Sequence, residues 1–203
     1  MTMGKIKLNP GTMLNPVPVV LVSCGRGEEA NLITIAWTGT VNSEPPYTYV
    51  SVRKDRHSHG ILSKEKEFVI NLTTKDLLYA TDFCGVKSGA SVDKFREAGL
   101  TKEPSSIVGC PMVAESPVSL ECKVRSVHEF PTHDMFLAEI VAVQVREELM
   151  DKSGKLRLDK AGLICFNHGE YMAVGEEVLG GFGFSVMKPS TKKRKQQEAK
   201  NKK

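Results

Sequence analysis

No stretch of this sequence approaches the roughly 20 apolar residues that a membrane-spanning helix needs. The opening residues, Met1-Thr-Met-Gly-Lys-Ile-Lys7, lack an apolar signal core, so export is not expected and a cytoplasmic location is. Cysteine is sparse. Cys24, Cys84, Cys110, Cys122 and Cys165 are never within four residues of one another, which removes the usual zinc motifs. An odd count without a signal segment reads as reduced thiols, with Cys122 and Cys165 as small core residues of apolar strands. No Gly-x-Gly-x-x-Gly follows a strand, and Gly180-Gly-Phe-Gly183 precedes no helical pattern, so a Rossmann nucleotide fold is excluded. Gly-x-Ser-x-Gly is missing too. His133-Asp134 is not part of a hydrolase triad, because neighbours on a strand point to opposite faces. His57-Ser-His59 has metal-ligand types but no further ligands at suitable spacing, so no metal site is expected.

What is present is an ordinary globular composition, 40% hydrophobic and 26% charged over 203 residues. The net charge of +4 misleads about the folded surface. The segment Lys192–Lys203 carries +6 by itself, leaving −2 for the rest. Residues 1–187 are therefore read as one domain and 188–203 as a basic, disordered tail. Nucleic acid is an unlikely partner for a body of that charge without interleaved basic and aromatic positions.

Strand patterns dominate. Residues 16–23 read as a buried strand, followed by the polar turn 25–30 and a returning partner at 31–37. Further strands are expected at Tyr47–Val52, Phe68–Leu72, from Val118, from Met135 to Leu149 and at Leu163–Phe166, with a tight turn at Asp151–Gly154. Helices are expected over 55–64, over 74–84 with Thr73 or Thr74 as N-cap, and over 92–98 with Ser91 as N-cap and Gly99 as terminator. The fold class is mainly β: a closed antiparallel Greek-key barrel with a few peripheral helices.

The richest segment is Asn31-Leu-Ile-Thr-Ile-Ala-Trp-Thr-Gly39, which sets hydroxyls around the single tryptophan. Beyond Pro45-Pro46, a second strand runs into Arg53-Lys-Asp-Arg-His-Ser58. Strand ends with hydroxyls, backbone amides, a flat aromatic and several cations suit a planar anionic cofactor, and flavin mononucleotide (FMN) is the best candidate.

These stretches, with Val50-Ser-Val-Arg53, Phe68-Val-Ile-Asn-Leu72, Ser91-Val-Asp-Lys-Phe95, Ser126–Glu139 around Thr132-His-Asp-Met-Phe-Leu137 and the later His168-Gly-Glu-Tyr171 and Gly180–Gly183, resemble the flavin reductase-like proteins with the FMN-binding split barrel, the flavoredoxin branch above all. The resemblance spans about residues 10–187. It implies a homodimer with FMN near the subunit interface. It also implies that reducing equivalents pass from NADH or NADPH through FMN to an acceptor, which is free flavin, ferric iron or a redox protein. The alternative is a flavoredoxin-like carrier between proteins with no nicotinamide site.

On this reading Thr34, Ile35, Ala36, Trp37 and Thr38 line the cofactor, Thr34 by donating its hydroxyl and Trp37 by its ring. Trp37 reads equally as core. Ser51, Val52 and Arg53 lie along the ring with backbone polar atoms at its pyrimidine edge. Arg53, Arg56, His57 and Ser58 open a helix and suit the phosphate. Asn71 aims its amide at the cofactor or caps the next turn. Lys94 approaches the phosphate or the ring's electron-rich edge, or is an exposed surface lysine. His133 is the candidate catalytic residue, orienting the donor or relaying a proton. Its alternative is a strand-end histidine bonded to backbone. Phe166, His168 and Tyr171 pack by the flavin or across the dimer seam.

Overall fold

A computed structural model describes residues 4–188 together with 190 and 191. The basic run from Lys192 onward lies outside the described residues.

Among the described residues, twelve strands and three α-helices follow in chain order. They are β1 (Val17–Pro18), β2 (Val20–Cys24), β3 (Asn31–Ile35), β4 (Thr38–Ser43), β5 (Pro46–Arg53), α1 (His57–Glu65), β6 (Glu67–Leu72), α2 (Leu78–Val86), α3 (Lys94–Glu97), β7 (Lys102–Glu103), β8 (Met112–Val113), β9 (Val118–Glu129), β10 (His133–Val145), β11 (Ile164–Asn167) and β12 (Glu170–Ala173). Seven of the strands form one antiparallel sheet in the order β3-β2-β6-β9-β10-β5-β4. A three-stranded sheet β1-β11-β12 and the pair β7-β8 lie outside it.

The sheet is not the closed barrel that the strand count suggested. Its edge strands β3 and β4 do not pair, yet only Ala36 and Trp37 separate them in the chain. A two-residue link spans at most about 10 Å, far less than the width of a flat seven-stranded sheet. The sheet must therefore curl until its edges nearly meet, leaving a split there instead of a closing ladder. Inside the curl, alternate residues of the strands make one core, including Val20, Val22, Ile33, Ile35, Val50, Val52, Phe68, Ile70, Cys122 and Phe136. The outer face of β2 and β3 is also covered: Leu21 and Leu32 pack with Cys84 of α2, Phe95 of α3 and Val113. This is why β2 is buried along its whole length and reads as an unbroken apolar run.

Local signals explain most boundaries. The β2–β3 connection needs Gly25 at φ +76°, where a Cβ would stand 2.4 Å from the Glu29 carbonyl oxygen. α2 starts at Leu78, later than expected, because Thr73 and Thr74 are used elsewhere. Thr73 Oγ1 donates to the Val19 carbonyl, and Thr74 forms a bridge with Leu163. The N-cap of α3 is Asp93, whose carboxylate accepts from the Arg96 N–H at 3.2 Å, so Ser91 lies outside that helix. Gly99 follows its C-terminus at φ +65° as expected. β10 ends at Val145 rather than running to Leu149, where the chain turns into a short 3-10 segment. Cys165 is only half-buried, while the other four thiols are buried, and all five are free. Among the described residues no helix is long and apolar enough to cross a membrane.

Candidate functional site

The split produces a crevice. Its centre is a cavity of about 150 Å³ lined by Ile33, Thr34, Ile35, Ala36, Trp37, Ser51, Arg53, Arg56 and His133. Register places these residues together. His133 of β10 pairs with Arg53 of β5, and Met135 pairs with Ser51. Arg53, Ser51, His133 and Met135 therefore share the outer face, while Val52, Asp134 and Phe136 point inward. At the link itself the Ser51 N–H donates to the Trp37 carbonyl at 2.9 Å. The N–H groups of Ala36 and Trp37 have no partner among the described residues. Unpaired amides at a sheet split are available to a ligand carbonyl or ring nitrogen.

Toward α1 the crevice continues into a cavity of about 120 Å³. Its walls include Arg56, His57 and Ser58 from the start of α1 and Gly85, Lys87, Ser88 and Gly89 from the end of α2 and its loop. Lys94 forms part of the same wall. No side chain caps the N-terminus of α1, so its first N–H groups and the positive end of its dipole are open to an anion. Arg56 has no carboxylate partner among the described residues.

Lys94 is the decisive group here. It is only 4% exposed, and its ammonium donates to the carbonyls of Leu32 and Cys84, each at 2.7 Å. An ammonium has three donors, so one remains. Among the described residues no carboxylate pairs with it. Burial lowers its pKa; the Cys84 thiol partly opposes this, and Arg56 adds to it. A buried cation without a counter-ion is costly, and an anion in this cavity would relieve the cost.

Comparison with known proteins agrees with this architecture. The family described as flavin reductase like domain matches residues 12–174. The chain belongs to the flavin reductase-like family. Flavoredoxin of Desulfovibrio vulgaris (Miyazaki F) is 30% identical, with a TM-score of 0.83 over 90% of this chain and 100% of that one. Flavoredoxin from Methanosarcina acetivorans is also 30% identical, with a TM-score of 0.81 over 91% and 100%. Within the family the chain falls with the flavoredoxins. An NADH-dependent FAD reductase of Streptomyces globisporus is 25% identical over 146 residues, covering 70% of this chain and 79% of its own. The fold is accordingly the split barrel of this family, and the family's chemistry is oxidoreduction.

The flavin reductase-like fold brings most of the sequence-derived residues to the crevice, though not always as expected. Thr34 lines it, but its hydroxyl donates to the Thr81 carbonyl on α2, so it has no proton left to give a ligand. Thr38 likewise donates to the Tyr49 carbonyl at 2.6 Å. Ile35 and Val52 are buried side chains of the barrel core and can contribute only backbone. The Ser51 amide is used by Trp37, but its hydroxyl makes no hydrogen bond among the described residues. Ser58 is buried, with its Oγ bonded to Asn31 Nδ2 at 2.8 Å. It sits beneath the anion cavity and braces α1 against β3. Arg53 Nε lies 3.3 Å from Asp55. His133 faces the central cavity with Nδ1 2.8 Å from Thr132 Oγ1.

Asn71 is a correction. It is fully buried and lines none of these cavities. Its Nδ2 donates to the Leu21 carbonyl and to Ser23 Oγ, and its Oδ1 accepts from the Val113 N–H and Ser119 Oγ. It ties β2, β6, β8 and β9 together and neither reaches the crevice nor caps a turn. Phe166 is placed apart from the others. It stands on β11, in the separate small sheet, packed edge-on against Tyr171 with ring centroids 5.8 Å apart. In a single chain it does not reach the crevice. Lys94 is not the surface lysine of its alternative reading. Lys87, Ser88 and Gly89 were missed by sequence reasoning. The available signal was a Lys-Ser-Gly run straight after a helix. A Cβ on Gly89 would meet Asn31 Oδ1 at 2.1 Å, so any larger residue there would have to displace the Asn31 side chain.

Proposed function

We propose that the chain binds FMN in this crevice and passes reducing equivalents through it. Ala36, Trp37, Ser51 and Arg53 would hold the ring, and Arg56, the start of α1 and the Lys87-Ser88-Gly89 loop would hold the phosphate. The observation that carries this reading is Lys94, a buried ammonium with a spare donor facing a cavity that already holds an uncapped helix N-terminus. The donor set therefore fits a phosphate monoester, and the unpaired amides at Ala36 and Trp37 fit the polar edge of a flavin ring.

When bound, FMN supplies a ring that accepts hydride or single electrons. The chain's own residues bind and orient it. Arg53 and Arg56 place positive charge along the crevice, which favours the anionic reduced form. Trp37 offers an apolar wall that limits water. His133, on the same face as Arg53, is positioned to orient a nicotinamide or move a proton at an imidazole nitrogen. The reaction is the transfer of reducing equivalents from NADH or NADPH to an acceptor, which is flavin, ferric iron or a redox protein.

The protein works as a cytoplasmic homodimer, with residues 1–187 as its flavin domain. Exposed Val178, Leu179, Phe182, Phe184 and Val186 support an interface between copies, where Phe166 and Tyr171 would approach the partner's cofactor. The flavoredoxin likeness favours one second reading, a carrier between proteins that has no nicotinamide site.

The test is the visible spectrum of the purified protein, followed by anaerobic addition of NADH and NADPH. Bound yellow flavin bleached by either nucleotide is expected. Flavin that binds but is bleached by neither selects the carrier, and no retention of FMN removes both readings.

A further inference from the structure

Beyond the phosphate end of the crevice lies a further chamber of about 410 Å³. It meets the phosphate arm, the cavity at the start of α1, at His57, Gly89 and Lys94, which line both. The two differ in charge. The phosphate arm draws on Arg56, Lys87 and Lys94, with Asp55 as the one acidic residue of its lining. The chamber presents Glu28, Glu29 and Asp93, and besides His57 its one basic residue is Lys94. Lys94 already gives two of its three donors to the Leu32 and Cys84 carbonyls. Glu28 and Glu29 stand in a three-residue 3-10 turn between β2 and β3, and Asp93 caps α3. All three are exposed. Among the described residues Glu28 has no ion-pair partner. Glu29 reaches Lys64 only at 4.0 Å. Asp93 accepts from the Arg96 backbone N–H, which leaves its charge in place.

We propose that this acidic chamber makes the site selective for a flavin that ends in a single phosphate, and that Glu28, Glu29 and Asp93 are the residues that exclude FAD. The inference rests on the proposed cofactor site and names the flavin class it accepts. One relative is an FAD reductase, so membership of the family does not by itself choose between the two flavins. The charges do. With the ring on the Trp37 side, the far side of the phosphate faces the chamber. A phosphate monoester carries a charge of about −1.5 to −2 at neutral pH, because its second pKa is near 6. In FAD that phosphate is joined to another and has no second ionisation left. It therefore gains less from Arg56, Lys94 and the N-terminus of α1. The second phosphate would enter the chamber, where three carboxylates repel it across less than a Debye length. Nor would the adenine ring compensate, since no Phe, Tyr or Trp lines the chamber to stack on it.

Binding calorimetry tests this without turnover. FMN, FAD and riboflavin are titrated into the full-length protein freed of flavin, at about 0.05 M and about 0.5 M NaCl. FMN should bind about 30-fold more tightly than FAD at low salt. The gap should narrow at high salt, because the carboxylates are exposed and screened. Glu28→Lys with Glu29→Lys should narrow it about tenfold at low salt, chiefly by tightening FAD, and Glu28→Gln with Glu29→Gln about threefold. The turn that carries both residues has no buried side chain, so folding should be unaffected. Riboflavin, which has no phosphate, is the uncharged reference and should respond least to salt and to the substitutions. FAD that binds the wild type within threefold of FMN would overturn the selectivity and leave the cofactor site intact. A gap that survives both pairs of substitutions would take the role away from Glu28 and Glu29 and overturn the assignment. Failure to bind any of the three flavins would instead remove the cofactor reading, and the selectivity with it.

Discussion

Two buried charges of opposite sign differ in how fully they are partnered. Glu121 of β9 is fully buried, and its carboxylate accepts five hydrogen bonds: from the N–H groups of Ser106, Ile107 and Val108, from Ser106 Oγ and from Gln144 Nε2. Burial alone would raise its pKa, but these donors overcome that and hold it at about 2. Lys94 is buried too, yet it has two carbonyl partners, no counter-ion among the described residues and a pKa lowered by burial. The first charge is complete and pins the 105–110 loop to the sheet. The second is incomplete and faces a cavity. A saturated buried ion belongs to the architecture, and an unsaturated one at a cavity wall points to a ligand.

Substitutions at these two residues should separate the roles. Glu121→Gln breaks the completed site by presenting an amide N–H₂ to donors that need an acceptor. It should cost about 3 kcal/mol of stability, read as a fall in Tm of about 10 °C, with FMN affinity of the folded protein unchanged within a factor of two. Lys94→Met should show the opposite pattern. FMN binding should weaken about 100-fold, near 2.7 kcal/mol, while Tm moves by no more than a few degrees, because a costly desolvated charge is removed along with two hydrogen bonds. Equal losses of stability in the two variants would erase the distinction.

Acid titration sharpens it further. The Glu121 carboxyl is depressed when folded, so its contribution is complete above about pH 4.5 and is lost as pH falls toward about 2. Urea midpoints measured from pH 6 to pH 2 should fall for the wild type and fall less steeply for Glu121→Gln. The smallest expected effect is that of Arg56→Ala, an exposed cation at the open end of the phosphate arm. It should weaken FMN three- to tenfold at low salt and less at 0.5 M NaCl, because exposed charges are screened.

Much of the fold was legible in the chain. Alternation in Val118–Arg125 and the β-branched run at Tyr47–Val52 identify β9 and β5, since strand periodicity is a local property of side-chain order. The crevice was legible where chemistry and chain proximity coincide, at Thr34–Thr38 and Arg53–Ser58. It was illegible where function depends on which way a side chain points. Asn71 looked like a ligand because strand-end amides often are, but its neighbours Ser23, Val113 and Ser119 come from three distant segments. Ser58 and Thr34 have the right chemical type, with their hydrogen-bonding capacity directed into the structure. Lys87-Ser88-Gly89 went unnoticed because nothing local announces that a loop packs onto Asn31.

From its order of residues alone, this chain determined a mainly β architecture and a basic end, and it set hydroxyls, cations and one tryptophan along two neighbouring strands. Those are consequences of composition and short-range periodicity. Only the folded arrangement decided that the barrel stays split at Ala36-Trp37, that Lys94 is buried beside an uncapped helix and that cations line one chamber of the crevice while carboxylates line the next. Each of these depends on contacts between segments tens of residues apart, where burial and partner count, not residue type, set what a polar group can still do.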